Sequence, residues 1–357
     1  MANLALMQKL KKASVIKHSS CLDDSVIFNK KDVIPTLIPA INIALSGTLD
    51  GGLTSGLTMW AGPSKHFKSM FSLLMAKAYM DKYPDAVMMF YDSEFGTPID
   101  YFKSLGIDTS RVMHTPLMNI EEMKFDVQNV LESVDRGDKV IFVIDSVGNI
   151  ASKKEVEDAI NQKSVGDMTR AKQLKSFFRM VTPQLTVKDI PMVVINHTYE
   201  TQEMFSKTVV AGGTGGIYSA DNIYIIGKQQ DKDGSELMGW NFVINVDKSR
   251  FCKEKSKIFI NVRHDKGMNR WSGLLDIALE TGHVQKPSNG WYSRVIDGVA
   301  EDKKYRKVET DSKAFWSTIL ADPTFKQAVT DKFKVSNGNL IHEEAEPLEA
   351  EEFEDED

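Results

Sequence analysis

Residues 56–69 read GLTMWAGPSKHFKS, and this stretch decides the fold. Its first part, 56–61, is a short and mainly apolar run, which predicts a buried strand. The next part, 62–69, opens a helical pattern at about 68–82 and approaches the phosphate-loop pattern G-x-x-x-x-G-K-[ST], which belongs between a strand and a helix. Backbone N–H groups of such a loop, together with the N-terminus of the helix, attract phosphate. The stretch therefore predicts a nucleotide-binding α/β protein.

One residue of the loop departs from the pattern, because Phe67 stands where the second Gly belongs. Gly serves where a backbone bends freely or approaches a ligand closely, so we expect Phe67 to keep an allowed φ and to point away from the phosphates. Lys68 is expected to reach the β- and γ-phosphates, and the Ser69 hydroxyl to hold Mg²⁺. A chance match to a degraded pattern is the alternative. The candidate nucleotide-binding residues here are Gly62, Pro63, Ser64, Lys65, His66, Phe67, Lys68, Ser69 and Met70.

Apolar runs and helical patterns alternate through the middle of the chain. The runs lie at 56–61, 86–92, 139–145, 190–197, 222–227, 241–248 and 256–262, and the helical patterns at about 68–82, 98–105, 119–136 and 167–183. This order predicts a mostly parallel central sheet with helices on both faces. The later runs lack helices between them, which predicts antiparallel strands at one edge. Residues 271–295 read as a short helix, a turn and a strand, and 313–333 as helical, so a small C-terminal α/β domain is expected.

Polar residues follow three of the predicted strands. Glu94 follows the second, Asp145 ends the third, and His197 ends the fourth. Ligands of open α/β sheets bind at the carboxyl ends of the strands, so these side chains are expected beside the phosphate loop. Asp145 would then hold Mg²⁺, Glu94 would orient or deprotonate the attacking water, and His197 would sense the γ-phosphate. The alternatives are a helix N-cap for Asp145 and a surface charge for Glu94.

Two polar segments, 151–166 and 198–211, leave the same edge of the predicted sheet, and the second leads into the run GGTGG at 212–216. Cationic side chains there would neutralise nucleic-acid phosphates, and an aromatic one would wedge between bases. For the cations near residue 170, an ordinary solvated helix face is the alternative. The candidate DNA-contacting residues are Arg170, Lys172, Phe205, Lys207, Gly212 and Gly213.

Lys248 and Arg250 close a late strand. Cations placed so stabilise γ-phosphate charge, either in the same chain or from a neighbouring subunit. The alternative is a basic strand edge that discourages aggregation.

The composition is typical of a soluble protein from a reducing compartment. Charged residues make up 26% and hydrophobic residues 42% of the 357 residues, which excludes a fully disordered or collagen-like chain. No apolar run approaches the roughly 18 residues of a membrane span, and residues 1–20 do not read as a secretory signal. With only Cys21 and Cys252 present, we expect no disulfide framework and a cytoplasmic location.

The C-terminal end carries an unusual charge. Residues 343–357 hold ten acidic residues and no basic one, and removing them from the net charge of −6 leaves +4 on residues 1–342. Such a tail is expected to be disordered, because its charges repel and it has little to bury. It is either a solubility tail or a mimic of nucleic acid that competes for a basic surface.

Taken together, these residues resemble the RecA family of recombinases. The likeness rests on AINIALSG (40–47), GPSKHFKS (62–69), YDSEFG (91–96), VIDSVGN (143–149), DMTRAK (167–172), INHTYETQEMFSKT (195–208), GGTGGIYSAD (212–221), NVDKSR (245–250) and NGWYSR (289–294). The Phe inside the phosphate loop and the stretch NHTYETQEMFSK are specific to the phage branch of the family. The resemblance implies a polymerisation helix and arm at 1–30, a RecA-like ATPase core at 31–268, a C-terminal domain at 269–342 and an acidic tail at 343–357.

Several residue roles follow from the resemblance alone. Tyr101 stands where the family has an adenine-stacking tyrosine, and His197 stands where bacterial relatives have a Gln that senses the γ-phosphate. Lys248 and Arg250 resemble paired cations that reach ATP across a filament interface. Segments 151–166 and 198–211 match the two DNA-binding loops. The family roles of Lys68, Ser69, Glu94, Asp145, Arg170, Gly212 and Gly213 agree with those expected above.

The function implied by the resemblance is that of an ATP-dependent DNA recombinase. With ATP and Mg²⁺ it would form a helical filament on single-stranded DNA and exchange strands with a homologous duplex, in recombination, repair and recombination-dependent replication. Single-strand-binding and mediator proteins would be its partners. Two alternatives stay open: a hexameric helicase or other motor on the same core, and a passive single-stranded-DNA-binding protein with a vestigial ATP site.

Overall fold

The computed structural model describes residues 3–27, 32–162, 169–202 and 206–335. Its strands are β1 (Gly56–Ala61), β2 (Val87–Asp92), β3 (Val112–Pro116), β4 (Val140–Asp145), β5 (Pro191–Asn196), β6 (Thr198–Glu200), β7 (Thr208–Val210), β8 (Asn222–Asp233), β9 (Glu236–Lys248), β10 (Lys257–Arg263), β11 (Gly267–Met268), β12 (Val284–Ser288), β13 (Trp291–Ile296), β14 (Val299–Ala300) and β15 (Tyr305–Arg306). Its helices are α1 (Leu4–Ala13), α2 (Pro39–Ser46), α3 (Lys68–Lys82), α4 (Ile99–Ser104), α5 (Ile120–Ser133), α6 (Lys153–Ile160), α7 (Thr169–Lys188), α8 (Thr214–Ser219), α9 (Leu274–Glu280), α10 (Lys307–Thr310), α11 (Lys313–Ala321) and α12 (Pro323–Phe333).

A nine-stranded sheet with the order β11-β10-β9-β8-β1-β5-β4-β2-β3 forms the centre of the fold. The strands from β8 to β3 run parallel, and for β1, β2, β4 and β5 the alternation of strands and helices predicts this. Their registers align the carboxyl ends: Ala61 lies opposite Asn196, and Asp92 lies opposite Asp145. The loops that follow β1, β2, β4 and β5 therefore emerge together at one edge of the sheet.

Alternate side chains of β1 enter two separate hydrophobic layers. Trp60 packs on the face that carries α3, with the rings of Phe71 and Tyr224 at centroid distances of 5.2 and 4.5 Å. Leu57 and Met59 pack on the other face with residues of α5 and α7. Because both faces of the strand are covered, it reads as a nearly continuous apolar run rather than an alternating one.

The antiparallel edge differs in two respects from the sequence expectation. β9 and β10 are antiparallel as predicted, and the short β11 adds an antiparallel strand that the sequence analysis lacks. The run at 222–227 opens β8, which pairs antiparallel with β9 but parallel with β1. The crossover from β5 to β8 runs through the β6–β7 hairpin and the short α8, and the apolar pattern shows neither. β3 is also absent from the sequence prediction, because its side chains are mostly exposed and give no apolar run.

The C-terminal segment packs into the same hydrophobic layer as α3. Phe315, Trp316 and Phe325 join one buried cluster with Leu45 and Ile258. The structure has the β12–β13 hairpin where the sequence predicts a single strand. The helical pattern at 313–333 divides into α11 and α12, because the Pro at residue 323 starts a new helix rather than continuing the old one.

The predicted N-terminal helix is present as α1, and none of its residues is buried. Leu4 and Leu10 are 71% and 57% exposed. Among the described residues, no helix is long and apolar enough to cross a membrane.

Candidate nucleotide and DNA site

The phosphate loop turns from β1 into α3 through a strained corner at Phe67. This residue has φ 62° and ψ 14°, a left-handed conformation for which Gly is the usual choice. Its ring leaves the loop and packs against Phe242 at 5.0 Å and Phe71 at 6.0 Å between centroids. The ring therefore points into the core, and its packing offsets the strain of the left-handed backbone.

Lys68 is enclosed by the loop that precedes it. Its ammonium group donates to the carbonyl oxygens of Gly62 at 2.9 Å and Pro63 at 2.7 Å, and the residue is 6% exposed. Burial lowers the pKa of Lys68, whereas the negative charges of Glu94 and Asp145 act in the opposite direction. A buried cation beside the backbone N–H groups of a helix start is suited to a phosphate group.

Ser69 and Asp145 form a hydroxyl–carboxylate pair beside the loop. The Ser69 hydroxyl donates to Asp145 Oδ2 at 2.6 Å, and Thr97 donates to the same oxygen at 3.2 Å. Asp145 Oδ1 is buried and has no hydrogen-bond partner among the described residues. Burial raises the pKa of Asp145. Mg²⁺ prefers oxygen ligands and retains several waters, so a hydroxyl and a spare carboxylate oxygen in this position fit the metal.

Glu94 lies at the same edge, in the loop after β2. Glu94 Oε1 accepts a hydrogen bond from the Ser146 hydroxyl at 2.5 Å and lies 2.7 Å from His197 Nε2. The hydrogen bond to His197 lowers the pKa of Glu94 most, burial opposes it, and the bond to Ser146 adds to the lowering. The carboxylate is therefore ionised and fixed in orientation, as a group that activates water requires.

His197 connects this carboxylate to a hairpin. Directly after His197, β6 and β7 pair antiparallel from Thr198↔Val210 to Glu200↔Thr208, and Ala211 N donates to the His197 carbonyl at 2.9 Å. The second segment predicted to bind DNA, 198–211, therefore begins and ends beside His197. Phe205, proposed to wedge between bases, lies outside the described residues. Lys207 lies at the far end of the hairpin, where its backbone N donates to Thr201 Oγ1 at 3.0 Å.

The glycines after the hairpin lie against α7. Gly212 and Gly213 have φ of 86° and 76°, and a Cβ on Gly212 would lie 2.7 Å from Leu174 Cδ1. Both backbone angles and this close approach require Gly.

The two candidate cations on α7 have different surroundings. Lys172 is exposed, whereas the Arg170 guanidinium donates to the carbonyls of the loop after β4. The first segment contains α6, which Ser152 caps through the N–H of Glu155 at 3.1 Å.

Lys248 and Arg250 do not join the phosphate loop of their own chain. Lys248 Nζ donates to the carbonyls of Ile217 at 2.9 Å and Tyr218 at 3.1 Å. Arg250 Nε pairs with Asp221 Oδ1 at 2.6 Å, and the other oxygen of Asp221 accepts from the N–H of Leu57, near the amino end of β1. The phosphate loop leaves the opposite end of that strand. The alternative that these cations stabilise a γ-phosphate bound in their own chain therefore does not fit the geometry. The Arg250 side chain is 69% exposed.

Three other candidate residues lie on α4, in the phosphate loop and in the first turn of α3. Tyr101 lies on α4, which follows β2, and is 45% exposed. His66 Nδ1 lies 2.9 Å from the Ser64 carbonyl oxygen, and burial lowers the pKa of His66. Met70 lies in the first turn of α3 and is partly buried.

Three residues at the site were not predicted from the sequence to belong to it: Thr97, Ser146 and Lys228. Ser146 and Thr97 bond to the two carboxylates, and only their position after a predicted strand could have indicated them. Lys228 lies 3.5 Å from the Lys65 carbonyl oxygen and 3.7 Å from the centroid of the Trp240 ring. It is distant from the loop in sequence, so only the pairing of β8 with β1 brings it there.

Comparison with known proteins places this site in context. A family model described as the RecA N-terminal domain matches residues 6–269. A second model, described as the C-terminal domain of the bacteriophage T4 recombination and repair protein, matches residues 271–329.

Individual relatives cover most of the chain. A recombination and repair protein of Enterobacteria phage T4 is 50% identical over 352 residues, which is 96% of this chain and 90% of that protein. The RecA protein of Streptomyces rimosus is 27% identical, with 76% of this chain and 71% of that protein covered. For the RecA protein of Leifsonia xyli the identity is 25%, and the coverage is 89% and 85%.

Proposed function

Since this chain belongs to the RecA family of recombination and repair proteins, we propose that it is a DNA-dependent ATPase that forms a helical filament on single-stranded DNA and catalyses homologous pairing and strand exchange. The proposal includes recombination-dependent replication and a site of action in the host cytoplasm. It rests most directly on the grouping of Lys68, Ser69, Asp145 and Glu94 at one sheet edge, next to the root of the hairpin.

ATP would bind with its β- and γ-phosphates in the loop that encloses Lys68. The N–H groups at the start of α3 and the Lys68 ammonium would neutralise the phosphates. Ser69 and Asp145 would hold Mg²⁺, which supplies positive charge against the γ-phosphate oxygens. Glu94 would orient the attacking water and accept its proton, because its carboxylate is ionised and is held by two hydrogen bonds. Tyr101 would stack on the adenine.

The neighbouring subunit would complete the site. Lys248 and Arg250 lie away from their own phosphate loop, and the Arg250 side chain is largely exposed. In a head-to-tail assembly these cations would reach the ATP of the next copy and stabilise the charge that develops on the γ-phosphate. Nucleotide binding and filament assembly would then be coupled, and hydrolysis would weaken the interface. The exposed apolar side chains of α1 fit docking on a neighbouring copy.

DNA would lie along the two segments that leave the nucleotide edge, 151–166 and 198–211. Lys172 and Lys207 would contact phosphates, and the close-packed backbone of Gly212 and Gly213 would let the DNA backbone approach. With no protein contact that reads the base edges, sequence specificity would come from pairing between the bound strand and a homologous duplex. Single-strand-binding and mediator proteins would act on this filament.

The test is ATP hydrolysis with and without single-stranded DNA, for the native protein, Lys68→Ala and a matched control, Lys77→Ala. Lys77 lies on the same helix and pairs with Asp81 at its surface. We expect strong stimulation by DNA in the native protein and in Lys77→Ala, and no turnover in Lys68→Ala. Normal turnover in Lys68→Ala would refute the site. Hydrolysis that DNA does not stimulate would favour a helicase or other motor with the same RecA-like core. No hydrolysis at all would favour a passive DNA-binding protein.

A further inference from the structure

The Arg170 side chain makes contacts that differ from those of a solvent-facing DNA ligand. Arg170 Nε donates to the carbonyl of Ile150 at 2.9 Å, and Nη2 donates to the carbonyls of Val147, at 3.1 Å, and Gly148. The guanidinium therefore holds the loop after β4 at three points. Hydrogen bonds from a charged donor are about twice as strong as neutral ones.

The loop that Arg170 holds contains one of the two groups that bind Glu94 and contacts the other. Ser146, which directly precedes Val147 in the chain, donates its hydroxyl proton to Glu94 Oε1 at 2.5 Å. The backbone of Gly148 lies directly against His197: a Cβ on Gly148 would be 2.2 Å from His197 Cδ2 and 2.8 Å from its backbone N. His197 in turn contacts Glu94 at 2.7 Å. A shift of residues 146–148 would therefore move both hydrogen-bond partners of Glu94.

Arg170 is the second residue of α7, and this helix contacts α6, which belongs to the described part of the segment predicted to contact DNA at 151–166. A displacement of α6 would therefore act on α7, and so on the guanidinium. We propose that Arg170 is a positioning residue that transmits DNA binding at α6 to Glu94 through the loop 146–148. The inference rests on the proposed DNA-dependent ATPase activity, and it assigns to Arg170 a role beyond any contact with DNA.

Two roles of Arg170 predict different kinetics when DNA is titrated into a hydrolysis assay. A residue that only contacts phosphate sets the DNA concentration for half-maximal stimulation and leaves the plateau at saturating DNA unchanged. A residue that positions Glu94 sets the plateau. Arg170→Lys separates the roles, because Lys keeps the charge but loses the planar fork that reaches several carbonyls at once.

We expect Arg170→Lys and Arg170→Ala to lower the stimulated plateau about tenfold, since several charge-assisted hydrogen bonds are lost. Ser146→Ala removes the hydrogen bond from the loop to Glu94, and it should lower the plateau without changing the DNA concentration for half-maximal stimulation. The control Lys172→Ala, an exposed cation two residues away on the same helix, should raise the half-saturating DNA concentration and keep the full plateau.

The outcomes distinguish this inference from the proposed function. A full plateau in Arg170→Lys, with a native protein that DNA does stimulate, would refute the positioning role alone. A native protein without stimulation would refute the proposed function itself. Thermal unfolding of each variant identifies any that fails to fold. Ser146→Ala removes one buried hydroxyl beside Glu94 and leaves the Arg170 contacts in place, so it keeps the test decisive if both Arg170 variants unfold.

Discussion

Replacing Phe67 tests how a bulky residue occupies the glycine position of a phosphate loop. Phe67 combines a left-handed backbone, with φ 62°, and a partly buried ring that packs on Phe242 and Phe71. A left-handed backbone costs a residue with a side chain about 1–2 kcal/mol. Truncating a fully buried Phe to Ala costs about 3–5 kcal/mol, so this partly buried ring is worth about 2–3 kcal/mol. Packing therefore exceeds strain.

The two truncations of Phe67 should differ in an unusual order. Phe67→Ala loses the ring and keeps the strain, whereas Phe67→Gly loses the ring and relieves the strain. After the larger chain entropy of Gly is subtracted, Phe67→Gly should be more stable than Phe67→Ala by about 0.5–1 kcal/mol, and both should be less stable than the native protein. In thermal unfolding this difference is about 2 °C.

The assay needs a control at which the order reverses. Met70 lies in the first turn of α3, where the backbone is helical and Gly is about 1 kcal/mol worse than Ala. Met70→Gly should therefore melt below Met70→Ala, while Phe67→Gly melts above Phe67→Ala. Both Phe67 variants should keep the rise in melting temperature that ATP produces, because Lys68 and Ser69 remain. If Phe67→Gly melts below Phe67→Ala, the account of strain at this corner is wrong.

Four further predictions concern the site and its surroundings. His197→Phe removes the hydrogen-bond donor that lowers the pKa of Glu94, so this pKa should rise and the acid limb of the kcat–pH profile should move to higher pH. His197→Gln can still donate a hydrogen bond and should move the limb less. If the limb stays in place in both variants, the contact between His197 and Glu94 is disproved. Lys228→Met removes a positive charge beside the loop and should raise the KM for ATP about fivefold with kcat retained, which steady-state kinetics measures. Arg250→Ala should preserve nucleotide binding but weaken filament assembly in sedimentation; assembly at native protein concentrations would contradict the interface role. Deletion of 343–357 should tighten binding of single-stranded DNA, most at low salt. If anisotropy titrations give the truncated and the full-length protein the same affinity at both low and high salt, competition by the tail is rejected.

Much of the fold could be predicted because its signals are local. The sequence predicts β1 and α3 with the bounds that the structure has, since an apolar run and a helical period need only neighbouring residues. The edge at which Lys68, Glu94 and Asp145 meet follows from the rule that parallel strands align their carboxyl ends. Short elements without a strong pattern, such as β3 and the β6–β7 hairpin, leave no comparable signal.

The sequence by itself determined the phosphate loop, the parallel core and the acids at the strand ends, because each depends on residue type and spacing within one segment. Tertiary structure alone decided what surrounds them. It pairs Glu94 with His197, a residue 103 positions away, turns Arg170 toward the carbonyls of the loop after β4, and places Arg250 at the amino end of β1. These contacts join segments far apart in the chain, and their geometry is set by strand order and packing, which no local pattern contains.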